Sequence, residues 1–196
     1  MRIIAGTAKG RVLKVPRNTE VRPTADRVKE TIFNVLGQWL DGEAVLDLYA
    51  GVGGLALEAL SRGAERVTCV ERDKIVLATL AENIRALGFA AQASTLLKSS
   101  ERAIAWLGAR AATFSLVFSD PPYASEVGAM TLQSLDKSGV LKDGARIVIE
   151  HSRHEALPEQ VGSLERVDER RFGETTVSFY ALRSKVLPEH LRSPEQ

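Results

Sequence analysis

Residues 45–60 read "VLDLYAGVGGLALEAL", and this stretch decides the class of the fold. The run from Val45 to Ala50 is apolar apart from Asp47 and Tyr49 and reads as a buried strand. Gly51, Gly53 and Gly54 then mark a tight turn, and "LALEAL" reads as a helix that should stop at Gly63. A glycine turn between a strand and a helix lets backbone approach a ligand closely, and helix N-terminal N–H groups favour polar or anionic groups.

Downstream the same alternation continues. "RVTCVE" (66–71) reads as a strand and "KIVLATLAENIRALG" (74–88) as a helix stopped by Gly88. "AQASTLL" (91–97) is a weaker strand and "SERAIAWLG" (100–108) a short helix. "FSLVFSD" (114–120), "EVGAMTLQSLDKSG" (126–139) and "ARIVIEH" (145–151) follow as strand, helix and strand. Alternation with continuously apolar strands predicts an α/β fold whose parallel sheet is covered on both faces. "LERVDERRFG" (164–173) and "TTVSFYALR" (175–183) leave no room for a crossover helix, so they are expected as an antiparallel hairpin at one edge.

Upstream, "RIIA" and "RVLKV" around "GTAKG" predict a β-hairpin. Thr24 is the expected N-cap of a helix over "ADRVKETIFNVLGQWL", in which Val28, Ile32, Val35, Leu36 and Trp39 recur at helical spacing. The expected division is a basic hairpin extension over 1–22, the α/β domain over 23–184 and a polar, loosely ordered tail over 185–196.

The 196 residues suffice for one domain with a sizeable core. Charge is nearly balanced, 26 basic against 25 acidic, but unevenly spread. Residues 1–29 hold eight Lys and Arg against Glu20 and Asp26, which leaves 18 basic and 23 acidic residues for the rest. That asymmetry predicts an anionic partner for the basic end; a merely solvated arm is the plainer reading. The single cysteine, Cys69, sits in "VTCV" and reads as a small core residue suited to a reducing compartment. Without an 18-residue apolar run or a basic-then-apolar leader, a cytoplasmic location and no membrane contact are expected.

Gly51-Val52-Gly53-Gly54-Leu55-Ala56 satisfies G-x-G-x-x-G/A, and Glu71 ends the next strand, where an acid can hold ribose hydroxyls. Both dinucleotide and S-adenosylmethionine sites use such an acid. The two are separated by "DPPY" (120–123), at the end of the fourth strand. Pro121 and Pro122 hold φ near −65° and push the residue before each into an extended shape, so the exit from the strand is stiff. An exocyclic amine is a poor nucleophile because its lone pair is delocalised into the base. The Asp120 carboxylate and the Pro121 carbonyl could accept its two hydrogens and stabilise the charge that grows on nitrogen as it attacks a methyl group. Tyr123 could stack on the base. Hydride transfer has no use for that arrangement.

Other candidates carry less. Asp47 among apolar neighbours needs a partner, either the glycine loop or a ligand ammonium group, or else is purely structural. His151, His154 and Glu150 invite a metal reading without a clear third ligand, and no metal is expected. Trp39 and Trp106 read as core rather than as base platforms. Ser61, Ser119 and Ser152 lack partners for a triad.

These residues resemble a known family. "DPPY" matches the [DNS]PP[FYW] signature of methyltransferases acting on base amino groups. "RIIAGTAKGRVLKVP", "VRPTADRVKETIFNVL", "LDLYAGVGGLALEALSRGA", "VERD" and the closing "RFGETTVSFYAL" resemble the bacterial 16S ribosomal RNA guanine-N2 methyltransferases, the RsmD family, over residues 1–183. The resemblance implies a seven-stranded Rossmann-like class I methyltransferase, with S-adenosylmethionine as cofactor. It implies a guanine of 16S rRNA as substrate, within the 30S subunit or an assembly intermediate, and a monomeric enzyme. It further implies that Asp120, Pro121, Pro122 and Tyr123 grip the amine, and that Asp47, Tyr49, Gly51, Gly53, Glu71, Arg72 and Asp120 line the cofactor site. Arg2, Lys9, Arg11, Lys14, Arg22 and Arg27 would meet RNA, with Arg22 to Thr24 and Arg27 close to the cleft. Many relatives carry an Asp near the adenine after the third strand. This chain reads "LLKSSERA", which leaves Ser99, Ser100 or a backbone group for that contact.

Within the same chemistry the alternative is an adenine-N6 methyltransferase acting on DNA or RNA. A chain this short has no evident target-reading insertion, which disfavours a sequence-specific DNA enzyme. A nicotinamide-dependent oxidoreductase and a non-catalytic RNA-binding module are the readings from other classes.

Overall fold

The computed structural model describes residues 1–16, 26–121 and 127–183. Thr24, Arg22, Pro122, Tyr123 and the tail over 185–196 lie outside the described residues.

An eight-stranded sheet organises the chain, in the order β3-β2-β1-β4-β5-β8-β7-β6. The parallel part comprises β1 (Ala44–Asp47), β2 (Arg66–Glu71), β3 (Ala93–Leu97), β4 (Phe114–Ser119) and β5 (Leu141–Ser152). β8 (Thr175–Leu182) and β7 (Leu164–Phe172) add antiparallel to β5 as the expected hairpin. The eighth strand, β6 (Gln160–Val161), is only two residues long and pairs with the start of β7. It was absent from the seven-stranded expectation because two residues are too few to show a period.

Strand alternation sorts the core into two layers. Val45, Val67, Cys69, Leu116, Phe118 and Val148 face α1 (Asp26–Leu36), α2 (Ala56–Ser61) and α3 (Lys74–Leu87). Leu46, Val70, Val117, Ile147 and Ile149 face α4 (Ser100–Gly108) and α5 (Val127–Ser138). Cys69 is a buried free thiol in the first layer, and burial, with Asp47 next in effect, raises its pKa. The helix ends follow from local chemistry. Asp73 caps α3 by accepting from Ile75 N at 2.7 Å and Val76 N at 3.1 Å, and Gly88 ends it at φ 81°.

Two expectations at the N-terminus are corrected. The predicted hairpin pairs antiparallel but is shorter than expected, with one bridge, Arg2 to Val12, in which Ile3 N donates to Arg11 O at 2.9 Å and Leu13 N to Met1 O at 3.1 Å. The reason is competition for donors: Ile4 N and Ala5 N point at the Glu58 carboxylate, at 2.8 and 3.0 Å, instead of at a ladder. Ile3, Ala8 and Leu13 meanwhile bury themselves in the first core layer. Helix α1 also ends at Leu36, four residues before the predicted end, and Gly37 follows at φ 100°. Trp39 therefore lies past the helix and is 65% exposed, not in the core.

Lys29, counted in the sequence as part of a basic solvent-facing end, is fully buried. Its ammonium group donates to Arg2 O and lies 3.6 Å from Glu58 and 3.8 Å from Asp26. Burial lowers its pKa, and Glu58 opposes that. Glu58 also accepts from Arg62 Nε at 2.9 Å, and the Arg62 guanidinium lies 4.4 Å from the Phe33 ring centroid. One buried carboxylate thus ties the arm, α1 and α2 together.

Removing Glu58 strands two buried cations and two amide donors. Glu58→Ala is predicted to cost about 3–5 kcal/mol in urea unfolding, whereas the paired replacement Glu58→Leu with Lys29→Met recovers part of that. A Glu58→Ala loss below about 1 kcal/mol, the range of exposed pairs, contradicts this account.

Candidate active site

The strand order reverses at β1. β2 and β3 extend to one side of it, and β4 and β5 to the other. Loops leaving the C-terminal ends of β1 and β4 must diverge there, which opens a crevice. The glycine turn after β1 and Asp120 after β4 both lie at this opening, and Glu71 ends the neighbouring β2.

The turn is built from hydrogen bonds as well as glycines. Leu48 N donates to Phe118 O at 3.0 Å and Ala50 N to Val70 O at 2.9 Å, so β1 is held on both sides as it ends. Gly51 and Gly53 then take φ of 53° and 100°. A Cβ on Gly53 would stand 2.6–2.7 Å from Leu57 and Leu80 side-chain atoms, so this position is closed to other residues by conformation and by space.

Glu71 takes both of its carboxylate oxygens into this frame. Oε2 accepts from Gly51 N at 3.1 Å, and Oε1 accepts from Asp73 N at 2.8 Å. The side chain is half-buried, so the same carboxylate is reachable by a diol in the crevice. Arg72 beside it is exposed.

Asp47 lies beneath the turn and is 2% exposed. Tyr49 N donates to its Oδ1 at 3.3 Å. Burial drives its pKa up to about 7; the Tyr49 and Ala56 N–H groups pull it down, and the Glu71 charge pushes it further up. No cation is among these causes. The Tyr49 hydroxyl accepts from Ser100 Oγ at 2.8 Å, which fastens the N-terminus of α4 to the end of β1. Ser99 caps α4, accepting from Arg102 N at 3.4 Å.

Asp120 is half-buried and Pro121 buried at the end of β4. Behind them, Ser119 is 1% exposed, and its hydroxyl has no hydrogen-bond partner among the described residues. Among the residues expected to meet RNA, Arg2, Lys9, Arg11, Lys14 and Arg27 are exposed. Arg2 pairs with Asp26 at 2.9 Å, Lys14 pairs with Glu82 at 3.0 Å, and Arg11 donates to Ala86 O at 2.9 Å. His151 is buried, with its ring nitrogens 3.0 Å from Ser152 O and Ser178 Oγ. No group of three or more His, Cys, Asp or Glu side chains that could hold a metal occurs among the described residues.

Sequence reasoning missed Asn83. Buried on α3, it accepts from Lys14 N at 2.8 Å and donates to Lys14 O and Val52 O, each at 3.0 Å. It joins the N-terminal arm to the glycine turn. Its signal was a polar residue inside the apolar stripe of Val76, Leu80 and Ile84, just as Glu58 was an acid inside "LALEAL".

Asp47 sets a pH dependence. Between pH about 4 and about 7 the folded chain holds a proton that the unfolded chain releases, so this group's contribution to stability falls as pH rises through that window. Asp47→Asn is predicted to remove a downward slope totalling a few kcal/mol from the ligand-free protein's stability between pH 4 and 7. Urea midpoints taken across that range test it, and parallel wild-type and variant curves contradict it.

Comparison with known proteins converges with this geometry. Residues 1–181 match the family described as "Conserved hypothetical protein 95". The Bacillus subtilis protein named "Putative rRNA methyltransferase YlbH" is 40% identical over 183 residues, 93% of this chain and 100% of its own length. Ribosomal RNA small subunit methyltransferase D of Escherichia coli is 37% identical over 158 residues, 81% of this chain and 78% of its own. The solved structure described as "Putative methyltransferase yhhF from Escherichia coli" superposes with a TM-score of 0.84 at 34% identity, covering 94% of this chain and 99% of that one. With an open α/β sheet and a positive-φ glycine turn at its switch point, the chain belongs to this family, that of ribosomal RNA small subunit methyltransferase D, and is a methyltransferase.

Proposed function

We propose that the chain transfers a methyl group to the exocyclic N2 amine of a guanine in 16S rRNA, acting as a cytoplasmic monomer on the 30S subunit or an assembly intermediate. The substrate class rests on the relatives named for small-subunit ribosomal RNA. The observation that carries the chemistry is the exit of β4 through Asp120 and buried Pro121 into the crevice that also receives the glycine turn.

The residues present suit the cofactor. Gly51 and Gly53 keep the turn free of side chains, Glu71 offers a carboxylate to the ribose diol, and Asp47 is a buried acid short of a cation. Tyr49, Arg72, Ser99 and Ser100 border the same opening. S-adenosylmethionine supplies, when bound, a methyl group on a positively charged sulfur. The Asp120 carboxylate and Pro121 carbonyl accept the two amine hydrogens, draw the nitrogen lone pair out of conjugation and stabilise the positive charge it acquires. Pro122 and Tyr123 complete the grip, with Tyr123 stacking on the base. The exposed cations of the arm, Arg2, Lys9, Arg11 and Lys14, with Arg22 and Arg27, meet phosphates.

The reading is tested by incubating the protein with labelled cofactor and either 30S particles or protein-free 16S rRNA, then digesting the product to nucleosides. N2-methylguanosine is expected, and N6-methyladenosine would instead establish the adenine alternative. Asp120→Ala is predicted to lower kcat by about 10²–10³-fold with cofactor affinity changed only a few-fold; undiminished turnover would falsify the grip on the amine. Charge reversal at Lys9 and Arg11 is predicted to weaken RNA binding and flatten its salt dependence, by about one unit of slope per lost phosphate contact.

A further inference from the structure

Helix α4 carries a row of side chains that the catalytic account leaves unused. Arg102 and Trp106 lie four residues apart on α4, Lys98 stands two residues before its first residue and Arg110 two residues past its last, so the set runs from the helix's entry to its exit. Arg102 and Arg110 are exposed, while Lys98 and Trp106 are half-buried. Ala103, Ile104 and Leu107 of α4 are packed in the core, and Trp106 is partly buried against the same core, which anchors the indole.

How these cations are held is the informative feature. The Arg110 guanidinium lies 3.8 Å from the Trp106 ring centroid and donates to Trp106 O at 3.2 Å. Lys98 Nζ lies 5.7 Å from the same ring. An indole positions a cation without cancelling its charge, as a carboxylate would. Lys98, Arg102 and Arg110 enter no ion pair among the described residues, whereas Arg2 and Lys14 of the arm are paired with Asp26 and Glu82. Glu101 is the only acid on the helix and is off the row. Two of the three charges, Lys98 and Arg110, are therefore held on one ring without being neutralised, and Arg102 adds an exposed third on the helix between them.

The row also begins at the catalytic opening. Lys98 N donates to the Glu71 carbonyl at 3.1 Å, and Ser100 bonds Tyr49 at 2.8 Å.

We propose that the outer side of α4 is a second RNA-docking surface, in which Lys98, Arg102 and Arg110 take consecutive backbone phosphates of the substrate and Trp106 holds two of them in place. It rests on the RNA reading above. A docked strand would cross from this row to Asp120 over the cofactor, so the arm and α4 would hold RNA on two sides of the target base. Charge complementarity selects the occupant: unneutralised guanidinium and ammonium groups on a firm scaffold match a phosphodiester backbone.

The test uses the full chain with Arg102→Glu and Arg110→Glu combined, and separately Trp106→Leu. Binding to a protein-free 16S rRNA transcript is followed by filter retention from about 50 to about 200 mM KCl, with calorimetry of S-adenosylhomocysteine binding as the check on folding. The double reversal should raise Kd for RNA at least about tenfold at low salt and reduce the slope of log K against log[KCl] by about two, with S-adenosylhomocysteine affinity within twofold. Trp106→Leu should weaken binding a few-fold at nearly the wild-type slope, because it loosens the charges without removing them. Unchanged Kd and slope in the double variant overturn the proposal. So does a defect confined to 30S particles with normal transcript binding, since the surface would then meet an acidic ribosomal protein. A wild-type chain that methylates neither particle nor transcript refutes the RNA reading itself, and this inference falls with it.

Discussion

The reversal of strand order at β1 is the constraint on which the molecule depends. A parallel sheet buried on both faces can offer chemistry only at its strand ends, because its faces are filled by helices. Only where neighbouring connections diverge does a cleft open between those ends. β1 and β4 are those neighbours, and each leaves the sheet with a feature that resists other conformations, a positive-φ glycine turn in one case and a proline in the other. The site is rigid because the two strands beneath it are hydrogen-bonded to one another and buried.

Two buried carboxylates on either side of the glycine turn illustrate opposite solutions to one problem. Glu58, in the helix after the turn, is surrounded by two cations and two amide donors and serves as an internal anchor. Asp47, in the strand before it, has backbone N–H groups but no cation, and its pKa climbs to about 7. A charge that is fully compensated holds structure; one left short of a partner has affinity in reserve for a ligand. The pair fastens the arm behind the turn and leaves the front open.

The N-terminal arm has less independence than its composition suggests. Arg2, Lys9, Arg11 and Lys14 are exposed, but the arm's backbone is bound by Glu58, Ser61 and Asn83, and Ile3, Ala8 and Leu13 enter the core. Asn83 bonds both the arm at Lys14 and the turn at Val52, so the arm and the turn share one rigid support. On the other face of the sheet, α4 is fastened to β1 through Ser100 and Tyr49.

By itself the sequence determined what is local. The period of the apolar residues, Asp73 and Gly88 at the ends of α3, Gly51 and Gly53 at the turn, and the end of β4 before Asp120 and Pro121 were all legible because each is a short-range preference of backbone or solvent. Tertiary structure decided what spans long distances in the chain. The arm's pairing stops after one bridge because Glu58, more than fifty residues away, takes the next two amide donors. Lys29 is core rather than surface because that same carboxylate waits for it, and Trp39 is outside because Gly37 turns the chain before the helical row reaches it. Hydrophobic period and charge count describe neighbours in sequence. Which buried donor meets which acceptor is settled only when distant segments compete for the same space.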